Sequence, residues 1–171
     1  LTLVDPTRDA VSGAWKREGA GLLGEAEGLA RIEIPWRPAL EYDVKVAFSL
    51  LRGKREVLLH LTRGGRPFVV QIGAEANTVF RCGEVSAKVP RCLEAGRFHT
   101  ALVRVREKGA SLEFDGQPVL DWSTDWATPA VPADASLRDA SLLGLGVRDG
   151  RLEVRSIQTV DLQGRGARSR P

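Results

Sequence analysis

From residue 42 to residue 50 the chain alternates: Tyr42, Val44, Val46, Phe48 and Leu50 are apolar, and Asp43, Lys45, Ala47 and Ser49 between them are polar or small. A period of two sends successive side chains to opposite faces, so this stretch predicts a strand with one face on a core. Apolar runs or the same period mark further strands at 31–34, 56–62, 68–72, 98–106, 111–114, 119–122, 142–147 and 152–160, with a shorter candidate at 78–81. Gly64-Gly65, Lys108-Gly109, Asp115-Gly116 and Asp149-Gly150 fall between strands and supply the turns, while Pro35-Trp36-Arg37-Pro38 ends the first one. Strands recurring every 8–12 residues or so, with Gly-bearing turns, are the spacing of a sandwich or barrel. No segment carries a helical period, and no repeat of 20–50 residues is present. Residues 124–140, rich in Pro, Ala and Asp, are expected to form a long loop. The pattern predicts a single all-β domain over residues 1–162.

Composition changes this picture only at the margins. With 43% hydrophobic and 27% charged residues among 171, wholesale disorder and a collagen-like chain are excluded. The apolar runs are a few residues long, so no helix here can span a bilayer and no membrane insertion is expected. Lys plus Arg exceeds Asp plus Glu by 25 to 22, but Arg165, Arg168 and Arg170 sit in the last seven residues. The body without them is neutral and offers little to a phosphate backbone, so nucleic acid is not an expected partner. Residues 163–171 have no apolar period and are expected to be a disordered basic tail or linker stub. The chain holds no Met and opens on Leu1-Thr2-Leu3-Val4, which reads as a domain boundary or a processed start. The expectation is a monomeric domain of a larger chain.

Cys82 and Cys92 bracket nine residues with Gly and Pro among them. A disulfide across so short a loop would stabilise by about 2.5–3 kcal/mol on the chain-entropy model. A bridge is expected here, with two reduced, half-buried thiols as the alternative. Two cysteines and two distant histidines do not make a structural zinc site. A bridge implies an oxidising compartment, so an extracytoplasmic location (secreted, periplasmic or cell-surface) is expected.

Gly96-Arg97-Phe98-His99 through Arg106, followed by Leu112-Glu113-Phe114-Asp115-Gly116-Gln117-Pro118-Val119, resembles a pattern of concanavalin A-like and laminin G-like sandwiches. Ser12-Gly13-Ala14-Trp15-Lys16 and Leu142-Leu143-Gly144-Leu145-Gly146 are similar to a bacterial branch near the keto-disaccharide hydrolase-like accessory domains. The resemblance implies a two-sheet antiparallel jelly roll whose last strand returns beside the first, often used to bind carbohydrate or another protein. Likeness of fold carries no chemistry by itself.

Glycosidases of that fold place paired carboxylates along one strand face. The nearest match is Glu41-Tyr42-Asp43-Val44-Lys45, in which the third position is a cation. On an exposed face both acids would stay ionised, so no catalytic residue is assigned. Asp121-Trp122-Ser123-Thr124-Asp125 alternates oxygen ligands in a way that suits calcium, but the Gly and Glu of an EF-type loop are replaced by Trp126 and Pro132. No cofactor is therefore expected, calcium being the one alternative. The aromatics give a better lead, because a pyranose wants a flat ring beneath its CH face and planar polar groups at its hydroxyls. Trp36 and Trp126 lie in loop segments and are the candidate stacking platforms, while Trp15 and Trp122 are expected to pack inside. Arg66, Gln71, Asn77 and His60 are the candidate polar contacts. His99 is expected to cap backbone groups. The expected function is a non-catalytic binding module for a glycan or a neighbouring protein, with a purely structural domain and a glycoside-acting hydrolase as alternatives.

Overall fold

The computed structural model describes residues 1–170, the side chains of residues 54 and 55 excepted. Among the described residues the strands are β1 (Ala10–Ser12), β2 (Ala14–Glu18), β3 (Gly21–Ile34), β4 (Trp36–Arg37), β5 (Glu41–Arg63), β6 (Arg66–Gly73), β7 (Val79–Cys82), β8 (Val85–Lys88), β9 (Phe98–Arg106), β10 (Gly109–Phe114), β11 (Gln117–Ser123), β12 (Leu143–Gln163) and β13 (Ala167–Arg168). All the pairings between them are antiparallel. The fold is an all-β sandwich.

Its two layers are one ribbon folded over. β3, β5 and β12 are long enough to serve both. In the first layer β12 runs between β3 and β5 through Gly144 to Arg148, and β6, β7 and β8 extend the sheet from β5. In the second layer the other halves of the same three strands continue, with β2 beside β3 and β9, β10 and β11 beyond β5. Each pair of segments the alternation separates, 42–50 with 56–62 and 142–147 with 152–160, is therefore a single bent strand. The bend falls where the ladder breaks register at Arg148/Gly150, as strands that change layer are expected to do. Gly53 makes the corner passable. Its φ is 119°, and a Cβ there would lie 2.1 Å from the Asp149 carbonyl oxygen. β12 inserts between β3 and β5, one strand removed from β1, rather than beside the first strand as the resemblance implied.

The core lies between the layers and follows the alternation. Tyr42, Val44, Val46, Phe48 and Leu50 are all buried, as are Ala101, Val103 and Val105 of β9 and Leu145 and Val147 of β12. Trp122 of β11 reaches across to Phe68 of β6, ring centroids 5.7 Å apart, and to Gly83 in the β7–β8 turn. Gly83 has a φ of 56°, and a Cβ there would meet the Trp122 ring at 2.6 Å, so only glycine fits.

Cys82 and Cys92 are free buried thiols, not a bridge. Cys82 sits in β7, opposite Val70 on one side and Val85 on the other. Cys92 directs its Sγ to Asn77, 3.2 Å from Oδ1. Burial pushes their pKa values up to about 12 and about 11, with the Glu84 charge adding to the rise at Cys82. The tail, expected to lack fixed structure, returns to the body. Ala167 and Arg168 pair with β4, and Arg170 bonds Asp9 Oδ2 at 2.6 Å and the Leu3 carbonyl at 3.1 Å.

Candidate functional site

The segment 124–142, between β11 and β12, lies across the outer face of the first layer. It is a strap rather than a free loop. Its near end is fixed by Trp126, whose ring is 4% exposed and packs 5.2 Å from Phe68 and 5.4 Å from Trp122 between centroids. The indole N–H donates to the Glu107 carbonyl at 2.8 Å. Arg66 donates to the Trp126 carbonyl at 2.7 Å. Ala130 then joins the edge of β6, donating to the Pro67 carbonyl and accepting from Val69 N–H. Beyond it, Ala135 is buried on Leu58 and Val69, with Leu29 and Val131 around them.

The face is built to receive the strap. Gly144 and Gly146 are the outward positions of β12, and a Cβ on Gly144 would lie 2.8 Å from a Leu137 methyl carbon. Charges fix the flanks. Arg148 donates from Nε to Glu56 Oε2 at 3.0 Å and from Nη1 to Asp134 Oδ2 at 2.7 Å. Glu33 accepts from Arg138 Nε at 3.2 Å and from Asp139 N–H at 2.8 Å. Arg37 donates to Asp139 and Ser141. The bond from Arg148 holds the Asp134 carboxyl below its ordinary pKa, and hydrogen bonds from Ser141, then Arg37, do the same for Asp139.

The strap leaves two hollows. One is a cavity of about 260 Å³ between β5, β6 and the strap, lined by His60, Leu61, Pro67, Phe68, Val131 and Leu137 among others. The other is an open groove of about 510 Å³ at the β7–β8 side. Val69, Pro129, Val131 and Pro132 give the groove an apolar floor, and Gln71, Arg81 and Glu84 give it polar walls. Gln71 and Arg81 are cross-strand neighbours. Gln71 donates to Glu56 Oε1 at 2.7 Å, and Arg81 pairs with Glu75.

The residues singled out from sequence scatter across the fold. His60 and Gln71 share the strapped face, one in each hollow. Arg66 holds the strap rather than opening onto a hollow. Trp126 is interior and offers no ring face to solvent. Trp36 is half-buried at the terminal corner, paired with β13, and lines a cavity of about 180 Å³ together with Leu1, Leu3 and Ile157. Asn77 is buried, donating to the Leu93 carbonyl and accepting from Leu93 N–H, both at 2.8 Å. Arg81 and Glu84 were missed, though Arg81 alternates with Phe80 and Cys82 and so faces outward beside Gln71. His99 does cap. Glu94 N–H donates to its Nε2 at 3.1 Å, which leaves the ring proton on Nδ1, 2.8 Å from Asp115 Oδ2.

Asp43 is bonded to Arg106 at 2.6 Å, and Glu41 accepts from Glu107 N–H at 2.7 Å, both in the second layer. In the segment considered for calcium, Thr124 Oγ1 accepts from Trp126 N–H and Asp125 Oδ1 from Ala127 N–H. Among the described residues no group of three or more His, Cys, Asp or Glu side chains is placed to hold a metal ion.

No model of a known protein family matches the chain, and no curated protein matches it. Solved structures do. The carbohydrate-binding module CBM66 of Bacillus subtilis superposes with a TM-score of 0.64 at 14% identity, covering 88% of this chain and 92% of that one. A candidate glycosyl hydrolase of Parabacteroides distasonis gives 0.62 at 12% identity, covering 92% and 96%. The exoplasmic/lumenal domain of VIP36, in a form bound to calcium and mannose, gives 0.59 at 10%, covering 90% and 82%. The fold is a lectin-like β-sandwich. At these identities the likeness extends to the backbone and not to the site.

Proposed function

We propose that this chain is a non-catalytic carbohydrate-binding module, working outside the cytoplasm as part of a larger bacterial protein. The observation that carries the reading is the groove between the strap and the β7–β8 turn. It combines an apolar floor with a planar guanidinium, an amide and a carboxylate, the groups that recognise a sugar's CH face and its hydroxyls. Its open form suits a chain end or a short stretch of glycan. One feature favours binding over bond cleavage. The carboxylates of the strapped face, Glu33 and Glu56, already accept hydrogen bonds from Arg138, Arg148 and Gln71. A retaining or inverting mechanism needs one carboxyl that keeps its proton. Modules of the same fold that bind sugar, such as those named above, add support by analogy.

The groove lacks an aromatic platform, so affinity should be modest. Screening the isolated chain against a polysaccharide and oligosaccharide panel, followed by calorimetry on the best ligand, tests the reading. Arg81→Ala should weaken binding about tenfold, the scale for a hydrogen bond involving a charged group, and Gln71→Ala about fivefold, the scale for a neutral one, with the fold intact by circular dichroism. Retention of no glycan, or binding indifferent to both substitutions, would refute it.

A further inference from the structure

We propose that the groove beside the β7–β8 turn selects a glycan bearing free amino groups, with Glu84 receiving the ammonium; this rests on the carbohydrate-binding reading and narrows its ligand class. Two charged side chains line the groove, Arg81 and Glu84, and only Glu84 is uncommitted. Arg81 is paired with Glu75, so its charge is balanced before any ligand arrives. Glu84 is exposed and, among the described residues, has neither a hydrogen bond nor an ion pair within the chain. Its charge is felt nearby, where it adds to the raised pKa of the buried Cys82 thiol. Lys88, the lysine of the same hairpin, stands opposite Val79 at the end away from the turn and does not line the groove.

The groups around Glu84 lean the same way. Gln71 donates its amide N–H to Glu56 Oε1 at 2.7 Å, which leaves its oxygen as an unengaged acceptor. On the strap side Pro129 and Pro132 have no N–H, and Ala130 commits its own to the Pro67 carbonyl. With Arg81 balanced by Glu75 and Glu56 by Arg148, the side chains about the groove sum to one negative charge, that of Glu84. An ammonium brings three donors on one positive charge, and a carboxylate offers only acceptors, so the two match in both charge and hydrogen bonding. A hydroxyl in the same place keeps a hydrogen bond and loses the charge. A uronate or a sulfate would find no unbalanced cation and would be repelled by Glu84. The apolar floor receives the CH face of the sugar in all three cases, so the polar substituent decides the ranking.

The experiment is an NMR titration of the intact chain, following the Gly83 and Glu84 amides, with three β-1,4-linked tetramers: glucosamine, glucose and glucuronate. It is run at about pH 6, where carboxylates are ionised and aliphatic amines protonated. The glucosamine tetramer should bind about fivefold more tightly than the glucose tetramer, the upper scale of an exposed ion pair, and the glucuronate tetramer should bind most weakly. Salt at about 0.5 M should remove most of the advantage of the amine. Glu84→Gln, which keeps an acceptor and the size, should bring glucosamine down to the level of glucose and leave glucose unchanged. Arg81→Ala should weaken both and keep their order. The proposal is overturned if glucose binds as tightly as glucosamine, if glucuronate ranks first, if Glu84→Gln keeps the parent ranking, or if none of the three binds. Each of those results leaves the carbohydrate-binding reading standing as long as a member of the wider panel is held through Arg81 and Gln71.

Discussion

Replacing Trp126 by alanine separates an anchored strap from an exposed stacking ring. The indole is 4% exposed, lies between Phe68 and Trp122, and donates one hydrogen bond to the Glu107 carbonyl. Truncating a buried Trp to Ala costs about 3–5 kcal/mol through lost transfer energy and the cavity left behind. The freed carbonyl adds little, because Glu107 is at the surface and water reaches it. Position 126 has a φ of 62°, and alanine keeps that strain, so nothing offsets the loss. For a domain of this length 1 kcal/mol moves Tm by about 2–4 °C, so a fall of about 6–20 °C is expected. Urea unfolding followed by circular dichroism and by fluorescence of the remaining tryptophans measures it. Trp126→Phe, which keeps an apolar ring, should lose about half as much. A loss below about 1 kcal/mol, accompanied by weaker glycan binding at unchanged stability, would show that the ring faces solvent and that the strap is held some other way.

The His60 pKa is depressed to about 3 by burial first and the Arg31 charge second, against about 6.5 in an unfolded chain. The unfolded state therefore takes up this proton below pH 6.5 while the folded state does not, and stability falls by about 1.4 kcal/mol per pH unit from this group as pH drops toward 3. His60→Phe should flatten that part of the profile; parallel parent and variant slopes between pH 6 and 4 would count against it. Cys82 and Cys92 should react with a thiol reagent only on unfolding, both titrating as free thiols, and a reductant should leave Tm unchanged; a reductant-dependent Tm would restore the bridge. Gly83→Ala, which adds a Cβ against the Trp122 ring at positive φ, should lose about 2–3 kcal/mol in urea unfolding, and a neutral result would mean the turn has another conformation. Amide exchange should be faster at 133–138 of the strap than at Trp126 and Val69, and uniform protection along 124–142 would contradict the clamped-end picture.

Alternation made the layers legible because burial on one face imposes a period of two, and 42–50 and 98–106 keep that period without interruption. The bends were not legible. A strand that crosses from one layer to the other exchanges its inward and outward positions at a bulge, so the period resets at Gly53 and Gly150 and reads as a break between two strands. The first half of β3, Gly-Leu-Leu-Gly-Glu-Ala-Glu-Gly from residue 21, was hidden for a related reason: Gly24 is small because the Trp15 ring lies on it, and glycine carries no apolar signal. The site was harder still. Trp126 stands in a Pro- and Asp-rich stretch that reads as solvent-exposed, and nothing local reports that the stretch turns back over β6 and drives the ring into the core. Asn77 and Arg66 looked like ligand contacts because polarity says that a group needs partners, not whether those partners are foreign or belong to the same chain. Gln71 and His60 face outward by alternation, and both line hollows.

The strap's two kinds of attachment differ in strength, and that difference bears on both hollows. At its Trp126 end the contact is apolar and dry, worth several kcal/mol. Along residues 131–139 the one fully buried apolar side chain is Ala135 on Leu58 and Val69, with Val131 and Leu137 partly buried beside it. The remaining clamps there are ion pairs such as Arg148 with Asp134 and Arg37 with Asp139, whose acidic side chains are 59% and 38% exposed. Exposed pairs of that kind contribute about 0–1 kcal/mol each. The buried Glu33, which accepts from Arg138 and Asp139 N–H, is the firmest polar clamp there, so the middle of the strap lifts at a smaller cost than its anchored end. Val131 belongs to the linings of both hollows. A glycan in the groove gains its contact with Val131 only with the strap down and so favours that state by its differential affinity.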